Sequence, residues 1–217
     1  LSPISSVIAQ INPSFYQPNS GSMTSANLGS GSSTTANTQG ATIGTSSTAV
    51  GYAIRYLAQA SRGANVTAGI NWTRPVAVSA RLGAYYQFQT QCVYRLNIGL
   101  GTAVLGTPSV RSIGVKFGAS AANTLSALVL EVHNGTTLTS VTTSFTPTFG
   151  QLFDVVVYSD ATNVFCYVNG SQVGTSSAGP TTEAISGQNI VQVGMENTSV
   201  PTVGSSGAFY HLKYLIN

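Results

Sequence analysis

Strict alternation of apolar and polar residues constrains this chain more than any other feature. In QCVYRLNIGL, Cys92, Tyr94, Leu96, Ile98 and Leu100 fall on one side, and Gln91, Val93, Arg95 and Asn97 on the other. SIGVKFG sets Ile113, Val115 and Phe117 against Gly114 and Lys116. LSALVLEVHNG sets Leu128, Leu130 and Val132 against Val129, Glu131 and His133. A two-residue period is that of a pleated strand, and one polar side is the pattern of an antiparallel sheet packed on a single face. FDVVVYSD is more continuously apolar, as a strand covered on both faces is. VFCYVNG, IVQVGMEN and AFYHLKYLI follow, and Gly, Ser and Asn turns separate the runs. Ten or more strands and no segment of helical period predict an all-β, two-sheet antiparallel sandwich.

Composition narrows the function classes. Charged residues are 6% of the 217, against about 25% in an ordinary globular protein. Ser and Thr fill 54 positions, Asn 14 and Gly 23, while hydrophobic residues reach 42%. The core is therefore well supplied, and the surface is built from hydroxyls and amides. A helix bundle would need far more Glu, Lys and Arg. The net charge of +3 comes from eight basic residues that never form a run, so a nucleic-acid patch is not expected. No stretch of 18 apolar residues occurs, so no helical membrane span is expected.

Residues 1–54 hold no charged side chain, and 19–48 are mostly Ser, Thr, Gly, Asn and Ala. We expect 1–50 to be an uncharged N-terminal arm followed by irregular loops packed on the body, and 51–217 to be the β-sandwich domain. The start, LSPISSVIAQINPSFYQP, has neither a basic segment nor an initiating Met, and is not expected to be a signal peptide. The chain is expected to be processed or part of something longer. Cys92 and Cys166 each sit in an alternating apolar run, and their pairing is left open by the sequence.

The segment FDVVVYSDATNVFCYVNGSQVGTSSAGP, Phe153 to Pro180, resembles the hairpin of the concanavalin A-like lectin/glucanase superfamily, which includes laminin-G-like sandwiches. The shared layout is an alternating strand, a polar turn, an aromatic-Val-Asn-Gly strand end, a short strand with Val173 and a Gly-Pro loop. Ser79–Tyr86 and Gln91–Leu100 resemble that family's central strand pair, Arg111–Phe117 the next strand, and Ala208–Ile216 the closing one. The resemblance covers about residues 45 to 217 and implies a concanavalin A-like jelly roll. Its low-charge, hydroxyl-rich texture is similar to versions in bacteriophage fibre, head-fibre and decoration proteins.

The acidic inventory is Glu131, Asp154, Asp160, Glu183 and Glu196. The Glu-x-Asp-x-x-Glu motif of the laminarinase-type relatives is absent, and glycoside hydrolysis needs two carboxylates flanking the bond. Glu131 and His133 share a strand side, which we read as a polar solvent-side pair that Asp154 could join in an ion cluster. No two acids lie within five positions, as a calcium loop would require, and the Cys and His residues lack zinc-site spacing. No Gly-x-Ser-x-Gly elbow and no phosphate loop occur. No catalytic residue, metal or cofactor is expected.

Metal-free carbohydrate binding uses aromatic platforms with amide and hydroxyl partners, because sugar rings have apolar faces and polar rims. Trp72, Tyr85, Tyr86 and Tyr158 are the candidates, with Tyr210 beside them. Core packing is the plainer reading for Trp72, and of Tyr85 and Tyr86 one should point in and one out. The expected function is a non-enzymatic virion structural protein, of phage fibre or capsid-decoration type, at the virion surface or otherwise extracellular. Its expected partners are other virion subunits, met through the N-terminal arm, and cell-surface glycan. Assembly as a homo-oligomer, a trimer by the fibre analogy, belongs to this expectation. The alternatives are a secreted carbohydrate-binding module or lectin and, after it, a jelly-roll capsid shell protein.

Overall fold

The computed structural model describes residues 24–28, 32–36, 40–45, 51–57, 70–99, 108–180 and 191–215. Sixteen strands and no helix occur among them. They are β1 (Thr24–Leu28), β2 (Ser33–Ala36), β3 (Gly40–Gly44), β4 (Gly51–Leu57), β5 (Val76–Tyr85), β6 (Cys92–Ile98), β7 (Ser112–Phe117) and β8 (Ala119–Ala121). The second half of the chain gives β9 (Thr124–Leu125), β10 (Val129–His133), β11 (Leu138–Thr142), β12 (Phe153–Ser159), β13 (Val164–Val168), β14 (Ser171–Ser176), β15 (Val191–Asn197) and β16 (Ser206–Leu215).

Two seven-stranded antiparallel sheets form the body. The first runs β1-β4-β15-β6-β7-β10-β11, the second β14-β13-β12-β5-β16-β3-β2, and β8 with β9 makes a small ribbon. The alternation decides which side of each strand is covered. Tyr94, Leu96 and Ile98, then Ile113, Val115 and Phe117, then Leu130 and Val132 form the first sheet's inner face. Val76, Val78, Val155, Val157, Cys166, Phe209 and Tyr214 meet them from the second. Phe117 joins the layers: its ring lies 5.2 Å from Tyr94 on its own sheet and 5.8 Å from Phe153 on the other. Burying each large apolar side chain of this kind contributes about 1.5–3 kcal/mol.

Three details depart from the sequence reading. Within 19–48, expected as irregular loops, β1 joins the first sheet while β2 and β3 extend the second beyond β16. Ladder hydrogen bonding along β4 and β16 overrides the weak local preference of small polar residues. The segments likened to a central strand pair, β5 and β6, lie in different sheets, where β5 pairs β12 and β16 and β6 pairs β15 and β7. Trp72, a platform candidate with core packing as its plainer reading, is fully buried and leaves the candidate set. Asn71 Oδ1 accepts from the Thr73 backbone at 3.0 Å and from its hydroxyl at 2.6 Å, a turn that tucks Ile70 and Trp72 into the core. Gly99, with φ of 104°, lies beneath the ring, where a Cβ would stand 2.7 Å from Trp72 Cζ2.

The N-terminal arm, residues 1–18, lies outside the described residues. Cys92 on β6 and Cys166 on β13 are free, buried thiols on different sheets, and burial pushes both up to about 12.

Candidate functional site

The sides of the sheets facing away from the core hold the polar chemistry, and they differ. On the first sheet, register places Arg95 beside Lys116, and Gly114 between Asn97 and Glu131. Glu131 Oε2 accepts from Arg95 Nε at 3.2 Å, and Lys116 Nζ stands 2.6 Å from Glu131 Oε1. Arg95 also donates through its terminal nitrogen to Glu196. Two cations and two carboxylates thus cancel within one group, with Glu131 1% and Arg95 4% exposed. The expected solvent-side pair of Glu131 and His133 is therefore buried on both counts.

His133 is held neutral-prone: desolvation, then the Arg111 guanidinium, lowers its pKa. Its Nδ1 accepts from the Gly135 backbone at 3.1 Å, which the uncharged ring permits. Asn97 is 1% exposed, and among the described residues neither side-chain atom has a hydrogen-bond partner. Its amide lies against Gly114, where any Cβ would collide with it. Asp154, which the sequence reading could place in this cluster, belongs to the second sheet instead. Alternation gives a residue's side of its own strand, and only pairing tells which sheet that strand joins.

On the second sheet Arg81, Asp154, His211 and Lys213 are exposed, and the residues around them are half-buried or, like Tyr167, buried. Arg81 on β5 grips Asp154 on β12 with two parallel hydrogen bonds, Nε–Oδ1 at 2.9 Å and Nη2–Oδ2 at 2.7 Å. That contact, with side chains 43% and 53% exposed, raises the Arg81 pKa. The Asn169-Gly170 turn fixes Asp154 in place: Asn169 donates its backbone N–H to the Asp154 carbonyl, and its Oδ1 accepts from the Asp154 N–H, each at 2.9 Å. Both turn residues have positive φ, 47° and 90°, as the hairpin signal predicts.

Beside this pair a depression of about 180 Å³ is lined by Ser79, Arg81, Asp154, Val156, His211 and Lys213. His211 arrives there through a β-bulge between Tyr210 and Lys213, at a φ of 52°. Aromatic residues flank it. Tyr210 pairs with Arg81 across β16 and β5, and Tyr85 is close enough to both that Tyr210 raises its pKa and Arg81 lowers it, burial raising it most. On the other flank Tyr158 stacks on Phe165 at 6.3 Å, and Phe165 lies 6.5 Å from Tyr167. Burial raises the Tyr158 and Tyr167 pKa values. Tyr86, just past the end of β5, is 86% exposed at a φ of 59°.

Three of the sequence-predicted aromatic residues, Tyr85, Tyr158 and Tyr210, are thus brought to one face, Tyr86 stands at its rim, and Trp72 is withdrawn. His211, Lys213 and Arg81 were missed as a group. The signal was present in AFYHLKYLI, where Phe209, Leu212 and Tyr214 break the two-residue period by one position, the mark of a bulge. Among the described residues, no group of three His, Cys, Asp or Glu is placed to hold a metal ion, and no helix is long and apolar enough to cross a membrane.

No protein-family model and no curated protein matches the sequence. Solved structures do match. The endo-β-1,4-glucuronan lyase of the fungus Trichoderma reesei is similar at a TM-score of 0.57 and 13% identity, over 95% of this chain and 92% of that one. The Emp47p carbohydrate recognition domain is similar at 0.55 and 10%, over 95% and 92%. A botulinum neurotoxin type C structure, whose cell entry depends on interaction with two ganglioside molecules, is similar at 0.57 and 13% over 96% of this chain. This chain spans 49% of that neurotoxin chain. At such identities the likeness carries the fold alone: the chain has a jelly-roll β-sandwich fold of the concanavalin A-like kind.

Proposed function

We propose that this chain is a non-enzymatic, lectin-like binding domain that contacts glycan through the outward side of the second sheet. The observation that carries this reading is that Tyr85, Tyr158 and Tyr210 share the outward side of the sheet that holds the depression lined by Ser79, Arg81, Asp154, His211 and Lys213. Tyrosine rings offer an apolar face for a sugar ring, and the side chains lining the depression offer hydrogen bonds to its hydroxyls.

The same fold serves lyases, among them the glucuronan lyase and an alginate lyase, so the chemistry of the face must arbitrate. Elimination from a uronate needs a cation or amide free to neutralise the substrate carboxylate and a base aimed at the adjacent proton. The first sheet holds Arg95, Asn97 and His133, yet Arg95 is already engaged by two carboxylates, and Asn97 and His133 are buried, 1% and 6% exposed. A uronate arriving there would meet Glu131 and Glu196. This supports binding without turnover.

The finer reading is a virion-surface protein of fibre or decoration type, with residues 1–18 docking on neighbouring subunits of a trimer. The scarcity of charge and the hydroxyl-rich surface support it. Deletion of 1–18 is expected to leave the sandwich folded and to abolish assembly. The second reading, a secreted carbohydrate-binding module, shares the tyrosine face and differs in having no assembly partner.

A glycan array tests the common claim. Selective binding that is lost in Tyr210→Ala and Tyr158→Ala with unchanged melting supports it. Binding untouched by both substitutions, or release of unsaturated uronate from polyglucuronate or alginate, contradicts it.

A further inference from the structure

We infer that the depression on the second sheet takes an anionic sugar unit, one bearing a carboxylate or sulfate, of a polysaccharide. This rests on the glycan-binding reading and names the ligand class of that site.

The charges lining the depression do not cancel. Arg81 and Asp154 satisfy each other through their paired hydrogen bonds. Lys213 is exposed, and among the described residues no carboxylate lies within ion-pair distance of it. It projects beside Ser79 in the β5–β16 register, and His211 stands next to it. One uncompensated ammonium and one imidazole thus share a cavity of about 180 Å³ whose own acid is occupied.

Backbone geometry supports the same assignment. On β16, Phe209 faces the core and Tyr210 faces out, so a regular strand would send residue 211 inward. The extra residue of the bulge and a left-handed backbone at His211 turn its side chain out instead, and Leu212 and Tyr214 resume the core side. Such a conformation is strained in a residue other than glycine, and bulges of this kind re-aim side chains at functional surfaces.

The row that crosses the site runs Tyr167, Val156, Ser79, Lys213 on β13, β12, β5 and β16. Neighbouring strands lie about 4.8 Å apart, so an aromatic ring and an ammonium stand at opposite ends of a row about 14 Å long. A sugar lying along the row would set its apolar face toward Val156, beside the buried Tyr167, and its hydroxyls on Ser79. Its oxyanion would reach Lys213 and His211. A neutral sugar would leave the ammonium without a partner, so the discrimination is electrostatic.

The test is a binding titration of the whole chain at low and at physiological salt. The probes are polyglucuronate, heparin, and neutral dextran and mannan. Lys213→Gln and His211→Asn are the variants, the latter because Asn tolerates left-handed backbone. Arg74→Gln, an exposed cation elsewhere, controls for net charge. Expected are binding to an anionic probe that weakens with salt, a loss of about tenfold in Lys213→Gln, and no change in Arg74→Gln. Binding to polyglucuronate shows that a carboxylate suffices, and binding to heparin alone that a sulfate is required. Equal loss in Arg74→Gln, or neutral glycan bound as tightly as anionic and unaffected by Lys213→Gln, overturns the inference. In the neutral case the tyrosine face still stands as a glycan site, whereas silence toward all four probes removes both readings.

Discussion

The two outward faces carry ion pairs built from the same residue types, and burial gives them opposite consequences. Glu131 and Arg95 are sealed with Lys116 and Glu196, while Arg81 and Asp154 meet in water. A sealed group must be complete, because each member left unpaired faces the full cost of desolvation. An exposed pair can be broken cheaply, since water replaces the lost partner. On the proposed reading stability and recognition are therefore separated onto different sheets: the first face locks the sandwich, and the second is free to meet a ligand.

The largest effect that sharpens this contrast is expected at Glu131. Glu131→Ala leaves the buried Arg95 with Glu196 alone and takes from Lys116 its acid, and should cost about 3–5 kcal/mol. Calorimetry should register that as a melting temperature lower by about 10 °C in a chain of this length. Asp154→Ala, the matching deletion on the other face, should cost under about 1 kcal/mol. Equal losses at the two sites would erase the distinction. Next in size is Gly114→Ala, whose Cβ would strike the Asn97 amide and the Leu96 carbonyl. Overpacking of this kind costs about 1–3 kcal/mol, measurable by denaturant titration.

A smaller effect appears with pH. The His133 pKa is lowered in the folded state, so the unfolded chain takes up the proton first as pH falls. Its contribution is whole above the ordinary histidine value of about 6.5 and is lost as pH drops through the folded one. Melting followed from pH 8 to pH 5 should show a decline that is shallower in His133→Gln. A profile unchanged by that substitution would mean that the ring titrates freely.

The sequence displayed the strands and their sides more fully than their partners. Tyr94, Leu96, Ile98, Ile113, Val115, Phe117, Leu130 and Val132 all face the core as alternation requires. The Asn169-Gly170 turn was legible because only a hairpin of positive φ explains that pair between two apolar runs. Side of a strand, however, is local, while exposure depends on what lies against it. Hence Glu131 and His133 were rightly put on one side and wrongly put in water. For Trp72 core packing, the plainer reading, holds, and the Asx turn of Asn71 is what sends its ring inward. The tyrosines converge because β5, β12 and β16 are adjacent in the second sheet, a long-range pairing that no local pattern encodes.

The separation of roles is tested most directly by measuring glycan affinity and melting temperature together in two variants. Tyr85→Ala combined with Tyr210→Ala should abolish binding while melting within a few degrees of the parent. Glu131→Gln should melt far lower yet, below its transition, bind with the parent's affinity. Retained affinity in the tyrosine variant, or binding lost in a still-folded Glu131→Gln protein, would place recognition on the first sheet and contradict the account.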